Sequence, residues 1–581
     1  MSTTEEQHVE AERQSLEVDI ACVGFGPAMG GFLTTLARGL VNEDGSPTVE
    51  SPAMPGMPLQ VICYERADDL GFGVSGVVSR ARGIKQSFPE LDVSQIPMAA
   101  RVGHEKVVYL LDPIGASRRS RPLRLADKLL KALRFALPFE HQGIELPYTP
   151  EFLNKHDGLL LSLGQFNLWV GSQIMGSGSV QIWPGMPVAQ ALIENERVTG
   201  LRMVDQGVDK AGKPDAGFMA GMDIKAALTV VGDGPVGPVG RQLDDHFGMP
   251  EGHHKREWAV GMKAVVDLPE HVKLKPGTVI HTMGYPEPEI FGFFYVHPER
   301  VASVGIFVPS WFESPLRTSY RYLQHFMMHP YLWRYLEGGT LRSWGAKSLQ
   351  ESGKRGEPYL AGNGYARIGE GSGSTNVLTG SGVDEAWTTG VQLAEGDGFQ
   401  TGFISGLVGM GVAGLTGGKI VLANDPRPPH EHLRSPEEYF SGKLSAAKIA
   451  ELKQQAVAEN RSLHDVFMDA CGWPAIPFDD KLLITHQDAL LVGGKVQAAA
   501  GYADHVVFID AQLCKRCGAR TCIEMCSGQA ITTGEQAVPA FDREKCIHCG
   551  ACLWNCSQTT NGEKSNVEFR AGAGGLHSAE N

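Results

Sequence analysis

Eight of the chain's eleven cysteines fall between Cys514 and Cys556. They form two runs. The first is Cys514-Lys-Arg-Cys517-Gly-Ala-Arg-Thr-Cys522-Ile-Glu-Met-Cys526, and the second is Cys546-Ile-His-Cys549-Gly-Ala-Cys552-Leu-Trp-Asn-Cys556. Close thiolates on a tight loop, with small residues such as Gly550 and Ala551 beneath them, can wrap a four-iron cubane. The second run has the ligand spacing C-x2-C-x2-C-x3-C, and the first has it with a longer middle gap. In paired runs the fourth cysteine of each ligates the other cluster. That rule assigns Cys514, Cys517, Cys522 and Cys556 to one [4Fe–4S] cluster, and Cys526, Cys546, Cys549 and Cys552 to a second. Ser527 and Ser557 stand where such runs usually continue with proline. The alternative is a pair of zinc sites, but these separate their ligands as CxxC pairs rather than runs of four.

Clusters need an electron source or sink, and the N-terminal part carries a motif for one. Residues 18–23 read as a buried parallel strand, followed by Gly24-Phe-Gly26-Pro-Ala28-Met29-Gly30-Gly31 and an apolar helical stretch. Strand, Gly-rich turn and helix are the context of a dinucleotide fingerprint, with the pyrophosphate on the helix N-terminus. Met29 replaces the third glycine of the motif. Glu65, with Arg66 after it, ends the next strand and is the acid expected on a ribose. Its distance from Gly26 exceeds the usual interval of about 20 residues, and the Gly/Pro/Ser-rich loop 44–58 accounts for the excess. Two further strands enter Gly-rich turns, at Gly232-Asp233-Gly234 and at Gly369-Glu370-Gly371-Ser-Gly373-Ser-Thr-Asn376-Val377. Three such turns in this order point to FAD rather than to a plain NAD site.

Length, charge and termini bound the rest. With 581 residues the chain needs more than one core. Its net charge of −14 argues against nucleic acid as a partner. Residues 1–17 lack a basic region followed by an apolar stretch, so a disordered tail is expected rather than a secretory signal. A cytoplasmic setting follows, where clustered cysteines bind metal. The expected domains are a tail at 1–17, an FAD-binding domain at 18–422, a linker and helical segment at 423–499, and an iron–sulfur domain at 500–581.

In this order of motifs the chain resembles the electron-transfer flavoprotein:quinone oxidoreductase family, with a FixC-like body and a FixX-like tail. The resemblance is carried by Glu65-Arg66 followed by Gly76, and by Pro276-Gly277-Thr-Val-Ile-His281-Thr282-Met-Gly284. Phe294-Tyr295-Val-His297, His329-Pro330, Leu336-Glu337-Gly338-Gly339, Gly345-Ala346-Lys347 and Gly373-Ser-Thr-Asn376-Val377 continue it. It implies a Rossmann-like FAD-binding fold of the geranylgeranyl-reductase type, α/β with α+β parts, and a C-terminal ferredoxin-like domain. It further implies FAD, a cluster on Cys526, Cys546, Cys549 and Cys552, reduced electron-transfer flavoprotein as donor and a membrane quinone as acceptor. Cys514, Cys517, Cys522 and Cys556 exceed the family pattern, and Glu370 is unusual in its turn. No catalytic acid or nucleophile is expected, since the cofactors carry the chemistry; His281, Tyr295 and His297 read equally as core residues. The rivals are a ferredoxin-fed isoprenoid reductase and a non-catalytic electron-carrying subunit of a membrane complex.

A quinone requires a membrane-facing surface, here the cytoplasmic face. Arg118, Arg119, Arg121, Arg124, Lys128, Lys131 and Arg134 interleave with Leu125, Leu129, Leu133 and Leu137. The leucines recur every four residues, on one helical stripe. Such a helix, ending in Phe135-Ala-Leu-Pro-Phe139, suits an anionic leaflet; packing of the stripe on the core is the alternative. Residues 398–418 carry no formal charge and read as a second, shallow insertion, with a buried helix as the alternative.

Overall fold

The computed structural model describes residues 12–42, 44–71, 76–315, 319–376, 379–396, 427–493, 500–560 and 564–572. Val377 and the uncharged stretch 398–418 lie outside the described residues.

Two large sheets organise the chain. Val18, Ala21, Cys22 and Val23 are all buried, as a strand covered on both faces must be. That strand, Ser15–Val23, pairs in parallel with Val61–Tyr64 on one side and Asp223–Val231 on the other. Gln181–Trp183 and Tyr365–Arg367 extend the parallel set outward. Val188–Glu194 and Arg197–Met203 close one edge with an antiparallel hairpin. This is the Rossmann-like sheet read from the sequence. The strand begins at Ser15 and Arg13 is bonded to Asp205 at 2.6 Å, so residues 13–17 of the expected disordered segment 1–17 are ordered.

The helix Pro27–Gly39 shows why Met29 can replace a glycine. Met29 is fully buried in the core beneath the turn. The close approach is made two residues later: a Cβ on Gly31 would stand 2.5 Å from the Trp387 carbonyl oxygen. From the facing helix, Gly382–Glu395, Gly390 answers, since its Cβ would fall 2.0 Å from the Ala28 carbonyl oxygen. Gly31 therefore serves helix–helix contact.

The second sheet is mostly antiparallel, in the order Thr340–Gln350, Trp258–Asp267, Val301–Pro309, Phe291–Val296, Thr278–Met283 and His104–Leu110, with two short strands at the edge. Strand side chains alternate between faces. Val260, Met262, Ala264, Val266, Val304 and Ile306 point to the larger core, under the helices Ser319–Met327 and Pro330–Leu336. Val279, Phe293, Tyr295 and Phe307 point the other way, onto Val78 and Leu160 of a small three-stranded sheet and onto Val102, just past its edge strand.

The expected linker is more ordered than its composition predicted. Ser435 and Glu438 form a capping box on the helix Pro436–Phe440, and Tyr439 and Phe440 pack on Ile449, Leu452 and Phe467. The helical segment 446–471 is two helices, Ala446–Ala458 and Leu463–Ala470, the second capped by Ser462.

Candidate functional site: a dinucleotide cradle joined to a cysteine module

The three Gly-rich turns converge. Gly24 has φ +79°, a conformation that only glycine adopts without strain, and a Cβ there would stand 3.0 Å from the Gly232 carbonyl oxygen. Gly369 has φ +75°, and its Cβ would meet that of Ala28 at 2.8 Å. A Cβ on Gly371 would lie 2.8 Å from the Gly234 carbonyl oxygen. At Gly26 and Gly234, by contrast, a Cβ would meet nothing within 4 Å. The backbone there borders open space, as a loop that admits a pyrophosphate must.

Glu65 closes the cradle at the end of its strand. Its Oε2 accepts from Phe25 N at 2.7 Å and its Oε1 from Ala67 N at 2.8 Å. Burial pushes its carboxyl up, against the pull of the adjacent Arg66 and these N–H groups. Asp233 has a different part. Its Oδ2 accepts from Val239 N and Gly240 N, both at 3.0 Å, so it caps the helix Pro238–Phe247 from below. Asn376 N donates to Glu385 Oε2 at 3.1 Å, which anchors the third turn to the helix that packs on Gly31. Glu370 is used internally: its Oε1 accepts from Gln350 N at 2.9 Å. Gly76 sits apart from these, where a Cβ would press within 2.9 Å of Phe293 and Ser303 on the second sheet.

The cysteines fall into two neighbourhoods. Burial pushes the Cys522 thiol up to about 12, helped in turn by Cys556, Cys517 and Cys514. Cys514 is raised by burial and then chiefly by Cys556. Cys546 is raised by burial and then by Cys526 and Cys549; Cys552 by burial and then by Cys549, Cys526 and Cys546. None of the eight is in a disulfide. N–H groups already point at several sulfurs: Ala530 N to Cys526 at 3.1 Å, His548 N to Cys546 at 3.3 Å, and Asn566 Nδ2 to Cys514 at 3.2 Å. His505 Nε2 lies 3.2 Å from the Cys546 sulfur. Among the described residues no three His, Cys, Asp or Glu side chains are close enough to hold a single metal ion.

The module docks directly on the cradle. Arg66 reaches the His548 ring, 2.9 Å from Nδ1, and His548 stands between Cys546 and Cys549. Ser348 N donates to the Cys549 carbonyl at 2.9 Å, and Trp554 Nε1 donates to Ser348 Oγ at 2.7 Å. Trp258 and Trp554 stack with planes 4° apart and centroids 6.1 Å apart. A Cβ on Gly550 would strike Val236 at 2.9 Å. Lys347, pushed down to about 8 by burial and then by Arg66, lies among Glu370, Cys549 and Glu65. Sequence reasoning missed His548, His505, Lys347 and the Trp258–Trp554 pair as contacts of this junction. Only the Cys-x-His-Cys spacing hinted at the first.

The leucine stripe does not pack on the core. In the helix Arg121–Ala132 and the turn after it, Leu125, Leu129, Leu133 and Phe135 are 70%, 59%, 46% and 88% exposed. The opposite side of the helix is held by a buried ion pair, Arg119 to Asp127 at 2.8 Å, which also engages the Tyr109 hydroxyl. Removing one partner of such a pair costs about 3–5 kcal/mol, so the apolar stripe is held outward. His281 pairs with Glu105 at 2.9 Å, and His297 bonds Ser303 Oγ at 2.9 Å. A cleft of about 410 Å³ opens beside Glu105, but His104, Lys106, Glu145 and His156 make it too polar for an apolar ring. Among the described residues no helix is long and apolar enough to cross a membrane.

A parallel sheet with three converging Gly-rich turns and an acid closing the second strand defines a Rossmann-like fold of the dinucleotide-binding type. Residues 258–349, most of the second sheet with its two helices, match the family described as ETF-QO, ubiquinone-binding. The chain is similar to the electron transfer flavoprotein-ubiquinone oxidoreductase of Pseudomonas aeruginosa, 27% identical over 390 residues, covering 66% of this chain and 64% of that one. The mitochondrial proteins of the same name from Dictyostelium discoideum and Mus musculus are 26% and 27% identical, over 66% and 67% of this chain and 57% of each of theirs. The resemblance read from the motifs is therefore shown, and this chain spans about three fifths of those relatives' length. Among solved structures, a geranylgeranyl bacteriochlorophyll reductase-like protein of Thermoplasma acidophilum aligns with a TM-score of 0.44 at 15% identity, over 66% of this chain and 78% of that one.

Proposed function

We propose that this chain is an oxidoreductase that accepts electrons from reduced electron-transfer flavoprotein and delivers them to a membrane quinone. FAD and two [4Fe–4S] clusters would supply the one- and two-electron chemistry when bound. Gly24, Gly26, Ala28, Glu65, Gly369 and Gly371 would hold the dinucleotide. Cys526, Cys546, Cys549 and Cys552 would hold the cluster next to it, and Cys514, Cys517, Cys522 and Cys556 the outer one.

One observation carries this reading: the loop Cys546–Cys549 lies on Arg66, the residue after the ribose acid, and on Ser348, within the quinone-family segment. The thiols fall into two groups of four, Cys522 with Cys514, Cys517 and Cys556, and Cys552 with Cys526, Cys546 and Cys549, which suits two clusters of four cysteine ligands each. N–H groups aimed at the sulfurs are what tune such clusters. The chain's own work is to bind, to hold short distances, and to exclude water through the buried Trp258–Trp554 contact.

The outward leucines and Phe135, flanked by Arg121, Arg124, Lys128 and Arg134, support peripheral attachment to an anionic leaflet on the cytoplasmic side. The test is anaerobic. Protein loaded with flavin and iron is mixed with reduced electron-transfer flavoprotein, the flavin absorbance is followed, and a soluble quinone is added. Bleaching followed by rapid recovery is expected; a loaded protein that stays oxidised would reject the donor.

A further inference from the structure

Lys263 is a charged residue type in the middle of a sheet. It lies on Trp258–Asp267, with Gly305 and Gly345 opposite it on the two neighbouring strands. Val260, Met262, Ala264 and Val266 turn to the helix-covered core. Alternation therefore puts Lys263 on the other face, with Phe293, Tyr295 and Phe307. It is 2% exposed. Among the described residues its Nζ has no hydrogen-bond partner and no carboxylate acts on it. An unpartnered amine in such a place costs several kcal/mol, and methionine would fill the same space without that penalty.

The surroundings are those of a junction. Gly76, ten residues after Arg66, packs on Phe293 and Ser303 of this face. Phe293 in turn covers Gly305, directly beside Lys263. His297 feels Lys263 and bonds Ser303 on the same side. Diagonally across the register, Lys347 leads back to Glu65, Arg66 and Cys549. Lys263 thus stands between the dinucleotide end of the face and its aromatic end, within the family-matched segment.

We propose that Lys263 is a binding residue for a redox ring: its Nζ donates to a ring carbonyl oxygen and favours the form in which that oxygen is negatively charged. The inference rests on the flavin- and quinone-binding function above. The carbonyl belongs either to the flavin or to the quinone, the shared chemistry being a conjugated C=O that gains charge on reduction. The contact is a charge-assisted hydrogen bond, and no covalent bond forms or breaks at the lysine.

The test compares full-length, flavin-loaded wild type with Lys263→Met. Three quantities are read: the melting temperature without flavin, the flavin midpoint potential by spectroelectrochemistry, and the KM for a short-chain soluble quinone. The variant should melt no lower than wild type. If the flavin supplies the carbonyl, its reduced form loses about tenfold in relative affinity, a fall of about 30 mV for a two-electron couple, with KM unchanged. If the quinone supplies it, the potential holds and KM rises about tenfold. Should the methionine variant not fold, Lys263→Ala is measured with and without methylammonium, which should restore the affected quantity. A variant unchanged in both potential and KM, or a deficit in Lys263→Ala that the amine does not repair, overturns the proposal. A wild type that binds flavin but never passes electrons to quinone overturns the underlying function and leaves only the flavin arm; one that binds neither overturns both.

Discussion

Arg66 lies on the His548 ring, 2.9 Å from Nδ1, although 482 positions separate the two in the chain. The contact joins the residue after Glu65, just past the strand Val61–Tyr64, to the loop between Cys546 and Cys549. Burial depresses the Arg66 guanidinium, while Glu65, Cys546 and Asp233 around it act in the opposite direction. An arginine held among those groups is a geometric tie between the nucleotide cradle and the cysteine module.

Arg66→Met should weaken that tie. A hydrogen bond from a charged donor is worth about 1.5–3 kcal/mol. Flavin and iron contents should stay near wild type, while electron transfer between the flavin and the iron centres slows. Stopped-flow absorbance at flavin and cluster wavelengths measures this, and an unchanged rate would remove Arg66 from the pathway.

Iron content separates the two cysteine groups. Cys514→Ser and Cys546→Ser should each remove about four irons per chain, the number in one cubane. Only the second should disturb the flavin spectrum, because Cys546 neighbours Arg66. If Cys514→Ser leaves iron intact, the outer quartet holds no cluster.

Two glycines of one motif should fail in different ways. Gly26→Val projects into open space, so it should abolish flavin binding with little change in melting temperature. Gly31→Val meets the Trp387 backbone at 2.5 Å or closer and should destabilise the fold by about 1–3 kcal/mol. Flavin titration and thermal melting of both variants check the pair.

The exposed stripe predicts a binding defect without a folding defect. Replacing Leu125, Leu129 and Phe135 with Ser should reduce sedimentation with anionic vesicles at least tenfold, since burial of each large apolar side chain is worth about 1.5–3 kcal/mol. Melting temperature should hold, because the helix is anchored through Asp127 and Arg119. Equal co-sedimentation of the triple variant would move the membrane contact elsewhere.

Stability should fall as pH rises toward 8. Glu287 is buried, accepts from Arg118 N at 2.6 Å and from Ser117 Oγ at 2.9 Å, and is pushed up to about 8, mainly by burial and then by Glu289. The folded state therefore binds its proton more tightly than the unfolded chain. That contribution is fully present below the ordinary carboxyl range near pH 4.5 and is lost as pH rises through about 8. The loss has a slope of at most about 1.4 kcal/mol per pH unit. Glu287→Gln should flatten this part of the stability profile in denaturant titrations at pH 5 to 8.5.

Local chemistry was readable from the chain alone. Thiol spacing named a pair of four-cysteine groups, because the tight loops that bring ligands together are short-range features. The first Rossmann turn was readable for the same reason, as Gly24, Gly26 and Glu65 are set by one strand–turn–helix and the strand after it. Basic and apolar periodicity likewise marked residues 118–139, although periodicity alone could not say whether the stripe faced the core or the solvent.

Tertiary structure decided the rest. The buried Arg119–Asp127 pair turned the leucines outward, and Asp233 became a helix cap because the segment after it folds back as Pro238–Phe247. The role expected of the third motif glycine passed to Gly31 and Gly390, since that role depends on which helix crosses the first one. Lys263 is a polar break in a strand when read as sequence. Only the pairing of strands far apart in the chain shows that it is buried, without a partner among the described residues, and beside the aromatic face, because burial depends on neighbours that no local pattern specifies.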